Sequence, residues 1–199
     1  HYLFRSRHYA HGGAYGGASE NGTCATLHTM AVNGYGTASP DTRLELNFYT
    51  GRVEVDGKYV TLDDGTPLQY MPLAVEQNLT ASKYIETAGA RMKKYEVDRT
   101  AYSDGRMPDN DIVLYRYADV LLMKAEAKVR NGESGDEQLN AVRSRVGMPS
   151  LAATLANILD ERLLELVWEG WRRQDMIRFG TYCEPYDIHT PSATDKKRY

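Results

Sequence analysis

The feature that most constrains this chain is an amphipathic run near its end. Leu155, Leu159, Leu163, Leu166 and Gly170 recur at helical spacing, with Val167 and Trp171 beside them, so one helix is expected from about Ala152 to Ile177. Within it, "ERLLELVWEGWRRQDMIRFG" (residues 161–180) holds three glutamates, four arginines, one aspartate and both tryptophans of the protein. Glu161, Glu165 and Glu169 are four apart and share a stripe that Arg173 continues. Carboxylates stacked at one turn repel each other unless cations interleave. Those cations are available locally and from Arg116, Arg143 and Arg145 upstream, so the expected role is helix-to-helix bracing. The chemical alternative is a glycosidase acid and base. Retaining enzymes place two carboxyls about 5–5.5 Å apart on opposite sides of a sugar-sized cleft. Neighbours on one helical stripe do not face each other that way, and nearby arginines lower carboxyl pKa values, which a general acid needs raised. Gly170 is expected to let a neighbouring helix approach beside Trp171.

Upstream, Ala118, Leu121, Leu122, Ala125 and Val129 mark another helix, ended by Asn131-Gly132. Ser134 and Glu137 stand at capping-box spacing before a shorter helix lined by Leu139, Val142 and Val146. A helical hairpin followed by a long helix resembles a repeat array of tetratricopeptide (TPR) type. Residues 1–110 differ in character, being rich in Gly, Tyr, Asn and Thr. "RLELNFYTGRVEVDGKYVTLDDG" reads as a small β-meander, with alternating Leu44, Leu46 and Phe48, then Val53 and Val55, a type I′ turn at Asp56-Gly57, then Val60 and Leu62. "YAHGGAYGGASENG" reads as an irregular loop, and Lys83–Thr87 as a further short strand. The expected organisation is a loop- and hairpin-rich segment over 1–110 as the candidate ligand-binding part, a helical scaffold over 111–180, and a truncated C-terminal loop segment over 181–199. The fold class is α+β, helix-dominated. The chain opens "HYLFRSRHYA" and stops at "DKKRY", so a piece of a longer fold is expected.

The formal net charge is −3, and residues 111–180 carry ten basic against eleven acidic side chains. No basic excess points to nucleic acid. No apolar run approaches the roughly 20 residues that span a bilayer. Cys24 and Cys183 are too far apart for a CxxC motif and too few for a disulfide framework.

Three blocks in order, "DIVLYRYADVLLMKAEAKVRNG", "LNAVRSRVGMP" and "ILDERLLELVWEGWRRQDMIRFG", resemble the C-terminal signature of the SusD/RagB family, nutrient-binding outer-membrane lipoproteins of Bacteroidetes. Arg116, Asp119 and Glu126 match the first block. Asn140, Arg143 and Arg145 match the second. Glu161, Arg162, Glu165, Glu169, Gly170, Arg172, Asp175 and Arg178 match the third. Asp41 with Arg43, and Lys83 with Tyr84, stand where the family often has an Asp-x-Arg and a Lys-Tyr. Leu163, Trp168 and Gln174 depart from the usual residues without removing the charge pattern. The resemblance implies a TPR-like scaffold in a surface-exposed outer-membrane binder, not an enzyme, needing no cofactor. It would capture oligosaccharides, or peptides as in the RagB branch, and deliver them to a SusC-like TonB-dependent transporter. Its only tie to the membrane would be a lipid anchor absent from this stretch. The alternatives are a helical-repeat protein-interaction module and a glycoside hydrolase.

The signature blocks are scaffold in this family, so ligand contacts must be sought among the residues themselves. Sugar recognition needs flat apolar faces with directional polar groups nearby. Tyr9, Tyr15 and Tyr35 offer rings, and His11, Asn21 and Asn33 offer hydrogen bonds; these six are the expected ligand-binding residues. His8, His11, Cys24 and His28 could supply four zinc ligands, but in an unusual order in a glycine-rich setting, so no metal site is expected. Asn21-Gly-Thr and Asn78-Leu-Thr fit the glycosylation pattern.

Overall fold

The structure, a computed structural model, describes residues 6–76, 79, 82–100, 108–188 and 190. In chain order the elements are α1 (Tyr9–Ala14), α2 (Leu27–Val32), α3 (Arg43–Asn47), β1 (Phe48–Tyr49), β2 (Gly51–Arg52), β3 (Glu54–Val55), β4 (Lys58–Tyr59), β5 (Gln69–Tyr70), β6 (Arg91–Met92), α4 (Tyr117–Arg130), α5 (Asp136–Ser144), α6 (Leu155–Leu166) and α7 (Arg172–Arg178). They fall into two compact units. The first takes the chain up to Met30 and again over Glu45–Asp111; the second takes Ala31–Leu44 and the chain from Ile112 onward.

In the first unit the strand pairs are nested and antiparallel. β3 pairs with β4, β2 with β5, and β1 with β6. The innermost turn is Asp56-Gly57, with φ of 51° and 76°, the two left-handed positions that a type I′ turn demands. Val60 N–H donates to Val53 O, Val53 N–H to Leu68 O and Leu68 N–H to Val60 O, so residues 53–68 form a small ladder that overlaps the second half of the expected meander and extends past its end at Gly65. Alternation puts Val53 and Val55 inward and Glu54 outward. Val53, Val55, Val60, Leu68 and Tyr70 make a core cluster, with Ala10, Tyr15, Tyr49 and Leu62 packed against it.

Three sequence expectations change here. Residues 43–47 form α3 and not a strand, and only Phe48 and Tyr49 of that segment pair. Asp41 fixes this start: its carboxylate accepts from the Arg43 backbone N–H at 3.0 Å and so favours a turn over an extended chain. Residues 83–87 form turns, with Thr87 and Ala88 N–H both bonded to Tyr84 O. The glycine-rich stretch contributes a short helix, α1, for reasons given below. The Asn78-Leu-Thr sequon lies outside the described residues.

In the second unit α4 packs against both α5 and α6. Leu122, Ala125, Leu139, Val142 and Ile158 form its core cluster. The α4–α5 connection requires a glycine, because a Cβ on Gly135 would stand 2.7 Å from the Ala125 carbonyl oxygen. Ser134 accepts from Asp136 N–H at 3.2 Å, while Glu137 bonds Gln138, so the reciprocal capping box does not form. Thr154 caps α6 by accepting from Asn157 N–H at 3.1 Å.

The expected single helix over 152–177 is two. Helix α6 ends at Leu166, Val167 turns extended (ψ 140°), Trp168 and Gly170 take φ of 68° and 86°, and α7 restarts at Arg172. Glu169 N–H bonds Leu166 O and not the Glu165 carbonyl that a continuing helix would use. Arg116 Nη2 donates to that released carbonyl. A guanidinium from the edge of α4 therefore terminates α6, supplying both a donor and the positive charge a helix C-terminus favours. Nothing lies within 4 Å of a Cβ placed on Gly170, so this glycine serves the left-handed turn and not the expected close helix approach.

Candidate functional site

α1 exists because both ends of a short glycine-rich segment are tied down. His8 Nδ1 accepts from Ala10 N–H at 3.1 Å, capping the helix, and His8 Nε2 meets Glu86 at 3.1 Å. Gly12 admits Ser19, whose Oγ would lie 2.1 Å from any Cβ there. Gly16, at φ 78°, turns the chain away. Underneath, the Tyr70 hydroxyl accepts from His8 N–H at 2.8 Å and hydrogen-bonds His11 Nδ1 at 3.0 Å. His11 is fully buried, its ring set edge-on to Tyr49 with centroids 4.6 Å apart. Burial, then the electrostatic influence of Arg7 and His8, depresses its pKa to about 3, so the imidazole is neutral at ordinary pH. Burial likewise raises the Tyr70 hydroxyl to about 12.

The six expected ligand contacts therefore have different surroundings. Tyr9 is 57% exposed at the start of α1. Tyr15 is half-buried, its hydroxyl 3.3 Å from that of Tyr49 and its ring overlaid by Arg99 at 4.9 Å. Asn21, at φ 50°, donates to Glu86 O and accepts from Arg91 Nη2, both at 2.9 Å, so its amide pins two chain segments. His11 faces Tyr70 and not solvent. Asn33 and Tyr35 belong to the second unit, Asn33 buried and Tyr35 half-buried.

Beside α1 lies an open depression of about 520 Å³, lined by Ala10 and Ala14 of α1 and by Val55, Asp56, Lys58, Tyr59, Val60 and Thr61 of the β3–β4 hairpin. Tyr59 is 56% exposed, with Arg52 4.8 Å from its ring centroid. Arg99 Nη1 and Nη2 each bond a different Asp56 oxygen at 2.8 Å. Hydrogen bonds from Arg99 keep the Asp56 carboxyl below its ordinary range. Asp56-Gly57 is legible in the sequence as a turn, but nothing local marks the aromatic and charged groups flanking it as lining one depression.

The signature residues gather in the second unit as two charge clusters. In one, Arg43 bonds Asp41 through Nε and Nη2, Glu161 at 2.7 Å and Glu165 at 3.0 Å. Arg143 reaches the other Glu161 oxygen at 2.8 Å, Arg145 bonds Glu165, and Arg116 bonds both Glu165 and Glu169. In the other cluster, Arg162 joins Asp119 to Asp175, each at 2.8 Å, and Arg178 joins Asp175 to Glu126. Asn140 holds the backbone of Leu151 through both amide atoms, and Arg172 donates to Leu159 O at 3.2 Å. Burial opposes ionisation of Asp41 and Glu165, but their arginine hydrogen bonds outweigh it and hold both carboxyls below the ordinary range. Such carboxylates are poor proton donors at neutral pH. Among the described residues, no three His, Cys, Asp or Glu are placed to hold a metal, and no helix is long and apolar enough to cross a membrane.

The sequence model of the SusD family matches residues 7–197. The chain belongs to the SusD family. It is 33% identical over 94 residues to the starch-binding protein SusD of Bacteroides thetaiotaomicron, a match taking in 46% of this chain and 17% of that protein. It is 36% identical over 86 residues to a SusD-like protein of Formosa agariphila, taking in 35% and 17%. Among solved structures it matches surface glycan-binding protein A from Bacteroides thetaiotaomicron with a TM-score of 0.57 at 26% identity, covering 81% of this chain and 35% of that one. For the same protein in complex with laminarihexaose the TM-score is 0.54 at 25% identity, covering 80% and 34%. The chain thus spans about a third of the length of these structural relatives, and the matched part is 17% of each curated one. These matches bear out the resemblance read from the three blocks, and with it a helix-dominated α+β fold on a TPR-like scaffold.

Proposed function

We propose that this SusD-family chain is part of a cell-surface protein that captures oligosaccharides and passes them to a SusC-like TonB-dependent transporter, held at the outer membrane by a lipid anchor. The observation that carries the reading is the family match over residues 7–197, together with the likeness to a glycan-binding protein solved with laminarihexaose. Tyr9 and Tyr15 are the proposed stacking rings of the first unit; the buried His11 ring lies 5.4 Å from that of Tyr15. We read it as a binder and not a glycosidase, and what supports this is that Glu161, Glu165 and Glu169, the carboxylates the glycosidase alternative would use, are each bound by arginine.

Isothermal titration of the chain with laminarihexaose and with maltohexaose tests this. Saturable heat with at least one glycan is expected, weakened by Tyr9→Ala or Tyr15→Ala. No heat with either glycan argues against capture. Reducing sugar released in the same cell argues against a pure binder.

A further inference from the structure

The depression beside α1 is larger than Tyr9 and Tyr15 explain, since neither lines it. Its volume, about 520 Å³, falls within the span of small-ligand sites, roughly 300–1,000 Å³. Its composition is divided. Ala10, Val55 and Val60 are apolar and at least half-buried, while Asp56, Lys58, Tyr59 and Thr61 are exposed. An apolar floor with a polar rim and one large exposed ring meets the two demands of a sugar: a flat surface for its C–H face and directional groups for its hydroxyls.

We infer that this depression is a carbohydrate subsite in which Tyr59 stacks on a sugar ring while Lys58 and Asp56 bind its hydroxyls. This rests on the glycan-binding reading above and extends it to residues outside α1. Lys58 supplies a donor and Asp56, already paired with Arg99, supplies acceptors through its remaining lone pairs, which suits hydroxyls that both donate and accept.

The groups are pre-set. The I′ turn holds Asp56 and Gly57 in left-handed conformations, and Val60 is bonded on both sides by Val53 and Leu68, so the strand bearing Tyr59 sits in a closed ladder. Arg52 steadies the Tyr59 ring through a cation–π contact. Arg99 fixes the Asp56 carboxylate while leaving lone pairs on both oxygens. Little side-chain ordering then remains to oppose binding.

The test is calorimetric titration of the full chain and its variants with laminarihexaose and maltohexaose. Against whichever glycan the parent binds, Tyr59→Ala lowers affinity about tenfold or more, as loss of a stacking anchor does. Tyr59→Phe, which keeps the ring, stays within about threefold. Lys58→Ala weakens binding by a smaller factor. The urea midpoint of each variant is measured alongside; Tyr59 and Lys58 are exposed, so it should not move. If Tyr59→Ala binds within about twofold of the parent while Tyr9→Ala or Tyr15→Ala is impaired, the subsite is wrong and glycan capture stands. If the parent binds neither glycan, both ideas fall.

Discussion

The second unit buries ions. The Arg162 side chain is 2% exposed and Glu161 is 0% exposed, yet each is held by two oppositely charged partners. In the first unit the buried pair linking α1 to the strands, His11 and Tyr70, is neutral, joined by one hydrogen bond and ring packing. Both arrangements meet the same demand, that a polar group leaving water must find a partner. They meet it at different risk. An ion stripped of its partner is stranded in a poorly solvating interior, whereas a neutral hydroxyl or imidazole loses far less. The charge clusters of the helical unit should therefore be intolerant of single substitutions and steady with mild acid, and the His11–Tyr70 pair the reverse.

The largest expected effect breaks the charge clusters. Arg162→Ala strips buried Asp119 of its arginine and leaves Asp175 held by Arg178 alone, and should cost about 3–5 kcal/mol in urea unfolding. Glycan affinity of the molecules that remain folded should not change. A loss below about 1 kcal/mol would mean the cluster contributes no more than surface pairs do.

Acid separates the units next. The folded pKa of His11, about 3, lies below its ordinary value of 6.5. Above pH 6.5 neither state takes up the proton. As pH falls from there toward 3, only the unfolded chain gains it, so stability drops by up to about 1.4 kcal/mol per pH unit. The carboxyls of Asp41 and Glu165 are also depressed, from 3.8 and 4.5, so their contribution is complete above those values and is lost only below them. Urea midpoints between pH 6.5 and 4.5 should fall for the parent and much less for His11→Gln. Both tryptophans lie in the second unit, so their native fluorescence should stay constant across this range. Equal slopes for parent and variant would remove His11 from the account.

The smallest effect concerns glycine. Gly170→Ala meets no neighbour and incurs only backbone strain at φ 86°, about 1 kcal/mol by thermal unfolding. Gly135→Ala pushes against a backbone carbonyl and should cost more, about 1–3 kcal/mol. Equal costs would show that the chain at Gly135 relaxes around the added methyl and that crowding there adds little.

The two units were also unequally legible. Helices α4 and α5 were legible, since Leu122, Ala125, Leu139 and Val142 repeat at one period and Gly132 marks a stop, although Val146, expected within the second, lies beyond its end at Ser144. The I′ turn at Asp56-Gly57 was equally plain, because two residues specify it. Helix α1 was not legible. Glycines at 12 and 13 disfavour a helix, and what offsets them is Tyr70, about sixty residues away, accepting from His8 and bonding His11. For the six expected binding residues burial was not legible, because nothing local distinguishes His11 under a tyrosine from Tyr9 in solvent.

The sequence by itself determined what depends on neighbours along the chain: the helical stripes, the turn at Asp56-Gly57, the charge pattern at residues 161–180 and, through it, the family. Tertiary structure decided where that pattern stops being one helix. Local periodicity continues through Trp168, but Arg116 takes the Glu165 carbonyl and Glu169 turns inward to the same guanidinium. It also decided that Ala10 and Tyr59 border one depression. Such choices rest on contacts between residues some fifty positions apart, whose free energy is set by burial and geometry that no local window contains.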